Sequence, residues 1–321
     1  MKARKLTLAA AATGMLVLIL DSRTAAQAAA AGVDLCIRTV IPSLFPFFLL
    51  SGYLTGNLRG GKWIAKIFRC PKSCGTILLT GILSGYPIGA GLAAREFRNG
   101  NITKAQADRL IMFCSQAGPS FLFGIVAGQL DNVRYIWILW AIQLLSALSV
   151  ARIVDSDVNI RHTFTDAQKV SLSDAMKGAI TAMASVCGWV VVFNVLMSFL
   201  KRWFLWLLPN PVQILLCGAL ELTNGCLMLS SLDSPQLRFL LAAVMLNFGG
   251  VCVIMQTASV AAGLSLSRYF LGKVLQTIFS CLYTLTILGH PLALLPVFLV
   301  FFLRKSLQIR KSSSIPVKLG V

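Results

Sequence analysis

One carboxylate stands apart from the rest of this chain. Of its 11 acidic residues, Glu221 alone lies deep inside an apolar run, and the others fall in loops or near segment ends. A charge at that depth is expensive in lipid and marks a functional site by default. Glu221 can bind a coupling proton or sodium ion, or hydrogen-bond a solute. As a structural residue it would instead bond Thr223, Asn224 or Asn247 and serve packing.

Three further groups of residues have types suited to holding a small polar solute. The first is Ser84, Gly85, Tyr86, Pro87 and Gly89, which interrupt the apolar run 76–94. Glycine allows close backbone approach, and proline breaks the helical ladder. Helix ends exposed there would offer N–H groups to an anion and C=O groups to a cation. The second is Ser115 and Gln116, followed by Gly118, Pro119 and Ser120. The third is Asn247, with Gly249, Gly250, Gln256 and Thr257 beyond it. Buried amides need partners, so both clusters must face protein, either toward a solute or as glue between helices. The substrate-binding set expected from the sequence is therefore Ser84, Gly85, Tyr86, Pro87, Gly89, Ser115, Gln116, Thr223, Asn224 and Asn247, with Glu221 as the coupling-ion residue. Pro42 and Pro46 are expected to bend a neighbouring helix. His290 reads as interfacial, and His162 lies in a polar loop. No nucleophile–base triad, His-Glu-x-x-His or phosphate loop occurs, so catalytic and metal sites are expected to be absent, as is any organic cofactor. Cys70 and Cys74 have no second Cys pair and no nearby His, which argues against zinc.

The elements that must position these residues are membrane helices. The chain is 57% hydrophobic and 12% charged over 321 residues, half the charge of a soluble domain. Apolar runs lie at 6–20, 36–55, 76–94, 110–129, 134–151, 178–200, 211–231, 238–263, 270–289 and 291–303. Two are interrupted, 76–94 and 211–231, and broken helices are tolerated in a membrane only inside protein or beside a wet cavity. The net charge of +18 sits between the runs. That is the pattern of positive-inside loops, so lipid is the expected partner and nucleic acid is not. Arg59, Lys62, Lys66, Arg69 and Lys72 precede the first interrupted run, and Arg95, Arg98, Lys104 and Arg109 follow it. Both of its ends therefore read as cytoplasmic, and the run as a re-entrant hairpin. The fold expected is an all-α polytopic membrane protein with about eight transmembrane helices and two re-entrant hairpins.

The order span, hairpin, span, span occurs twice, and the second hairpin enters from the opposite side. Thr80-Gly81-Ile82-Leu83-Ser84 lines up with Cys217-Gly218-Ala219-Leu220-Glu221, and Gln116-Ala117-Gly118-Pro119 with Asn247-Phe248-Gly249-Gly250. The expected organisation is an N-terminal helix at 1–31, whose Lys2, Arg4 and Lys5 before an apolar run also resemble a signal peptide. A first gate-like repeat follows at 32–153, a cytoplasmic loop at 154–177, an inverted repeat at 178–289, and a helix with a basic tail at 290–321. Inverted repeats with paired interrupted helices point to a solute site near mid-membrane.

Several blocks carry a family resemblance. Ile41-Pro42-Ser43-Leu44-Phe45-Pro46-Phe47-Phe48, Ser84-Gly85-Tyr86-Pro87-Ile88-Gly89-Ala90, Gly100-Asn101-Ile102-Thr103, Phe113-Cys114-Ser115-Gln116-Ala117-Gly118-Pro119-Ser120-Phe121 and Glu221-Leu222-Thr223-Asn224-Gly225 resemble, in order, the YlbJ (SpoVV) family of sporulation integral membrane proteins with nucleoside-recognition gate domains. The resemblance implies a multi-pass protein of the bacterial cell membrane, with the outer forespore membrane as a candidate site. It also implies transport of a small polar or anionic solute, with dipicolinate, an aromatic dianion, as the candidate. A nucleoside carrier and an assembly protein of the sporulation membrane are the alternatives. Protein partners are not indicated.

Overall fold

The computed structural model describes residues 2–57, 61–154, 169–302 and 304, and among them the chain is helical without strands. Most of the loop 154–177, including His162, and the basic tail from 305 lie outside the described residues.

Two long helices form a scaffold. Asp21 interrupts the first helical stretch and caps the next, accepting a hydrogen bond from Thr24 N at 3.3 Å. From there helix runs through Ser22–Leu35, one wide turn at Cys36–Val40, and Ile41–Asn57. It passes without a break through residue 31, where the first boundary was expected. This stretch lies along Leu172–Trp203. Gly32 makes the close approach: a Cβ there would come 3.0 Å from Val191 Cα. Asn194 Nδ2 donates to Ala28 O at 2.7 Å, and Arg202 pairs with Asp21 at 3.1 Å.

Each interrupted run folds back on itself. In the first, Gly75–Ser84 and Ile88–Arg98 are joined by Gly85, Tyr86 and Pro87. Gly85 has φ +83°, and Pro87 has no N–H to offer, so the helix cannot continue. The two arms touch where Gly81 and Gly89 meet; a Cβ on Gly89 would be 3.0 Å from Gly81 Cα. In the second run, Asn210–Leu220 and Leu222–Leu227 are joined at Glu221, and Gly218 meets Gly225 in the same way.

Five helices among the described residues are long and apolar enough to cross a membrane: Ser22–Leu54, Val133–Ile153, Leu172–Trp203, Pro235–Val260 and Leu266–Ile287. They contain five of the eight runs expected to span. The other three, at 6–20, 110–129 and 291–303, provide the shorter apolar helices Ala11–Leu20, Pro119–Gln129 and Pro291–Phe302. The run at 110–129 differs most from expectation. Lys104–Leu110 ends in turns, 115–118 is extended, and helix resumes at Pro119. The residue before a proline avoids the α conformation, and Gly118 has φ −71° and ψ 162°. Gln116, expected on a helix, therefore sits in an unwound stretch. Pro235–Val260 is interrupted too, at Gly249, where φ is +84°.

The ties between these elements are reciprocal. Asp131, just before Val133–Ile153, pairs with Arg238 at the start of Pro235–Phe248 at 2.9 Å. Ser265, which caps Leu266–Ile287, donates its N–H to Asp108 on Lys104–Leu110 at 2.7 Å. Likewise Ile88–Arg98 packs on Gly250–Val260, and Leu222–Leu227 packs on Leu122–Val126.

Candidate functional site

The unwound stretch sets the chemistry of the interior. Leaving the helix at residue 111 frees main-chain carbonyls where lipid supplies no donors. Side chains from the two neighbouring spans answer them one by one. Gln276 Nε2 donates to Met112 O at 2.6 Å, Gln143 Nε2 to Ala117 O at 3.0 Å, and Lys273 Nζ to Ser115 O at 2.6 Å. Gln116 Nε2 serves Phe113 O within the stretch, at 2.9 Å. Ser115 Oγ accepts from Ala90 N at 2.8 Å and so caps the returning arm of the first hairpin.

The second hairpin is held by its own carboxylate. Glu221 is 2% exposed and caps Leu222–Leu227, accepting from Thr223 N at 3.0 Å, Asn224 N at 2.7 Å and Asn224 Nδ2 at 2.8 Å. The Thr223 and Asn224 N–H groups are occupied in this way, as is Ala90 N in the first hairpin.

The two hairpin tips meet at a small cavity of about 40 Å³. Ser84, Gly85 and Tyr86 of the first tip face Glu221, Leu222 and Thr223 of the second. Ala117, Gly118 and Phe121 come from the first interrupted span, and Val253 and Gln256 from the second. Val40 and Leu44 on one scaffold helix, with Val186 and Val190 on the other, close it with aliphatic surface. Such a volume admits only a few waters. Ser84 Oγ is buried at this wall and has no hydrogen-bond partner among the described residues.

Of the residues expected to bind solute, Ser84, Gly85, Tyr86 and Thr223 line the cavity together with Glu221. Pro87, Gly89, Ser115, Gln116, Asn224 and Asn247 do not. Gly89 serves the contact between the hairpin arms, and Ser115 and Asn224 make the bonds given above. Asn247 lies behind the cavity, donating to Ala243 O and Ser280 Oγ at 2.9 and 2.8 Å.

Sequence reasoning missed Lys273. It is fully buried, and Nζ also donates to Tyr86 OH at 3.1 Å, which in turn donates to Leu246 O at 3.0 Å. Its place inside the run 270–289 was a readable signal of the same kind as Glu221, and a search confined to acidic residues passed over it.

No family model and no solved structure matches the chain. Among curated proteins it is similar to the sporulation integral membrane protein YlbJ of Bacillus subtilis (strain 168). The two are 26% identical over a match that covers 83% of this chain and 78% of that protein. The five apolar helices and the extent of this match lead to one conclusion: the chain is a multi-pass integral membrane protein and a relative of YlbJ.

Proposed function

We propose that this protein is a carrier that moves a small polar or anionic solute across the membrane by alternating access. The observation that carries the reading is the cavity itself, where both hairpin tips and both interrupted spans converge. Paired broken helices facing one midplane site are the hallmark of transporters built from inverted repeats. The reciprocal ties of Asp131 with Arg238 and of Ser265 with Asp108 support two such repeats, 32–153 and 178–289. In this arrangement the hairpins are re-entrant, eight helices cross, both ends lie in the cytoplasm, and the turn at Asp131–Arg134 is external.

Similarity to a sporulation integral membrane protein supports a role for this carrier in endospore formation, and the outer forespore membrane is the location to test beside the cell membrane. Dipicolinate is the solute to test first. The aliphatic walls suit a flat ring, and the polar edge of Ser84, Thr223 and Gln256 suits its substituents. Glu221 repels a dianion unless a proton or a sodium ion neutralises it, so the coupling ion belongs on Glu221. Kinship with nucleoside-recognition gate proteins would favour a nucleoside instead.

The deciding experiment is uptake of labelled dipicolinate by the purified protein in liposomes, with unlabelled nucleoside as competitor. Saturable uptake unaffected by nucleoside supports the dicarboxylate. Competition by nucleoside moves the assignment to the nucleoside. Absence of saturable flux for both solutes, from protein shown to be folded and inserted, removes the carrier reading in favour of an assembly role.

A further inference from the structure

Lys273 is the only buried lysine among the described residues. An ammonium group has three N–H donors, and three oxygens surround this one: Ser115 O at 2.6 Å, Tyr86 OH at 3.1 Å and Gln276 Oε1 at 3.3 Å. The rings of Tyr86 and Tyr269 also face it, with centroids 4.6 and 5.8 Å from Nζ. The titratable groups facing it are Tyr86 from the first hairpin, Cys114 from the interrupted span and Tyr269 from its own helix. Among the described residues no carboxylate lies within ion-pair distance.

A main-chain carbonyl, a hydroxyl and an amide oxygen are ligands of the kind that hold hard metal cations. Here the protein puts its own cation among them on a side chain. The position matters as much as the ligands. Tyr86 belongs to the first hairpin tip and lines the cavity, and Ser115 belongs to the unwound stretch beneath it. One ammonium therefore joins the first hairpin tip to the unwound stretch. An unpaired charge is too costly to bury for packing alone.

We propose that Lys273 is a tethered cation that latches the first hairpin tip to the unwound stretch, occupying the place a bound sodium ion would take, and that it releases the tip by giving up its proton. The proton passes from the ammonium to a water molecule in the cavity that Tyr86 lines, which carries it off as hydronium and leaves a neutral amine that can no longer hold all three oxygens; the tip parts after this loss. The proposal rests on the carrier reading only in its consequence, that closure of this tip follows protons rather than sodium.

Hydrogen exchange of the full chain in lipid nanodiscs tests the latch without any flux, so its failure and that of the carrier reading are separable. Segments 84–91 and 111–118 are followed against Leu172–Trp203 as reference, with rates corrected for intrinsic exchange. A lysine is charged at low pH, so wild-type protection of both segments is highest there and falls as pH rises. It is equal in sodium chloride and choline chloride. Lys273→Ala empties the oxygen cage; in choline its two segments lose protection about tenfold or more, and sodium restores it. The proposal is overturned if wild-type protection depends on sodium or ignores pH. It is also overturned if the variant is as protected as wild type in choline, or is not rescued by sodium. If the reference helix also loses protection in the variant, the wild-type salt and pH series decide alone.

Discussion

Several buried side chains here, Gln116, Gln143, Lys273 and Gln276 among them, answer particular main-chain carbonyls. Gln276 is the only side chain bonded to Met112 O, and it spends its other end on Lys273. Gln276→Leu keeps the volume and leaves that carbonyl unsatisfied, which costs about 1–3 kcal/mol. The expected readout is a lowered midpoint of thermal unfolding in detergent. Thr286→Val is the control, because Thr286 bonds only within its own helix and should change little. Glu221 was legible as a site because a lone carboxylate in an apolar run is rare. Its job as a helix cap was not, since the bond depends on where the helix restarts. Lys273 illustrates the opposite limit. Its partners Tyr86 and Ser115 are 187 and 158 residues away in sequence, and nothing local announces that they converge.

At the scale of elements, the hairpins depend on glycines that let two backbones touch. A Cβ on Gly89 would collide with Cys114 O, a main-chain atom that cannot swing aside, whereas one on Gly91 meets only Val260 at 3.5 Å. Gly89→Ala is therefore expected to destabilise the fold by roughly 1–3 kcal/mol and to expose the hairpin to proteolysis. Gly91→Ala should be tolerated, and equal behaviour of the two variants would contradict the packing described. The broken character of 76–94 and 211–231 was readable from Gly, Pro and Glu inside apolar runs. The break at 111–118 was not, although Gly118-Pro119 stood in plain sight, because the run around it is hydrophobic enough to pass for a span. What distinguishes it is the set of donors on neighbouring helices, and these are assigned only once the spans are packed.

For the whole molecule, the sequence carried the membrane class and most of the helices. Hydropathy reflects the solvent directly, and lipid demands helices. Five of the eight expected spans are long apolar helices among the described residues, and apolar run length alone does not tell a continuous helix from a broken one. The proposed two-fold organisation makes a topological prediction. Cysteines placed at Asn132 and at Lys72, in a background without reactive thiols, should react with an impermeant reagent from opposite sides of the membrane. Labelling of both from one side would make 76–94 a crossing segment and remove the re-entrant hairpin on which the inverted arrangement depends. Asp131→Ala is expected to matter little. Asp131 is largely exposed, Arg238 keeps its bonds to Leu232 O at 2.8 and 3.2 Å, and an exposed partner of an ion pair contributes about 0–1 kcal/mol, to be checked as a small shift in unfolding temperature.

The carrier reading stands or falls on the place where the tips meet. The most direct measurement is solute uptake into liposomes, for whichever of dipicolinate and nucleoside is carried, by wild type and by Glu221→Gln, across an imposed pH or sodium gradient. The amide keeps the size of the side chain and one acceptor for its cap, but it takes up no proton and carries no charge to balance a sodium ion. The account predicts saturable, gradient-driven uptake in wild type and loss of the gradient dependence in the variant, with the protein still folded. Uptake by Glu221→Gln that responds to the gradient as wild type does would contradict it.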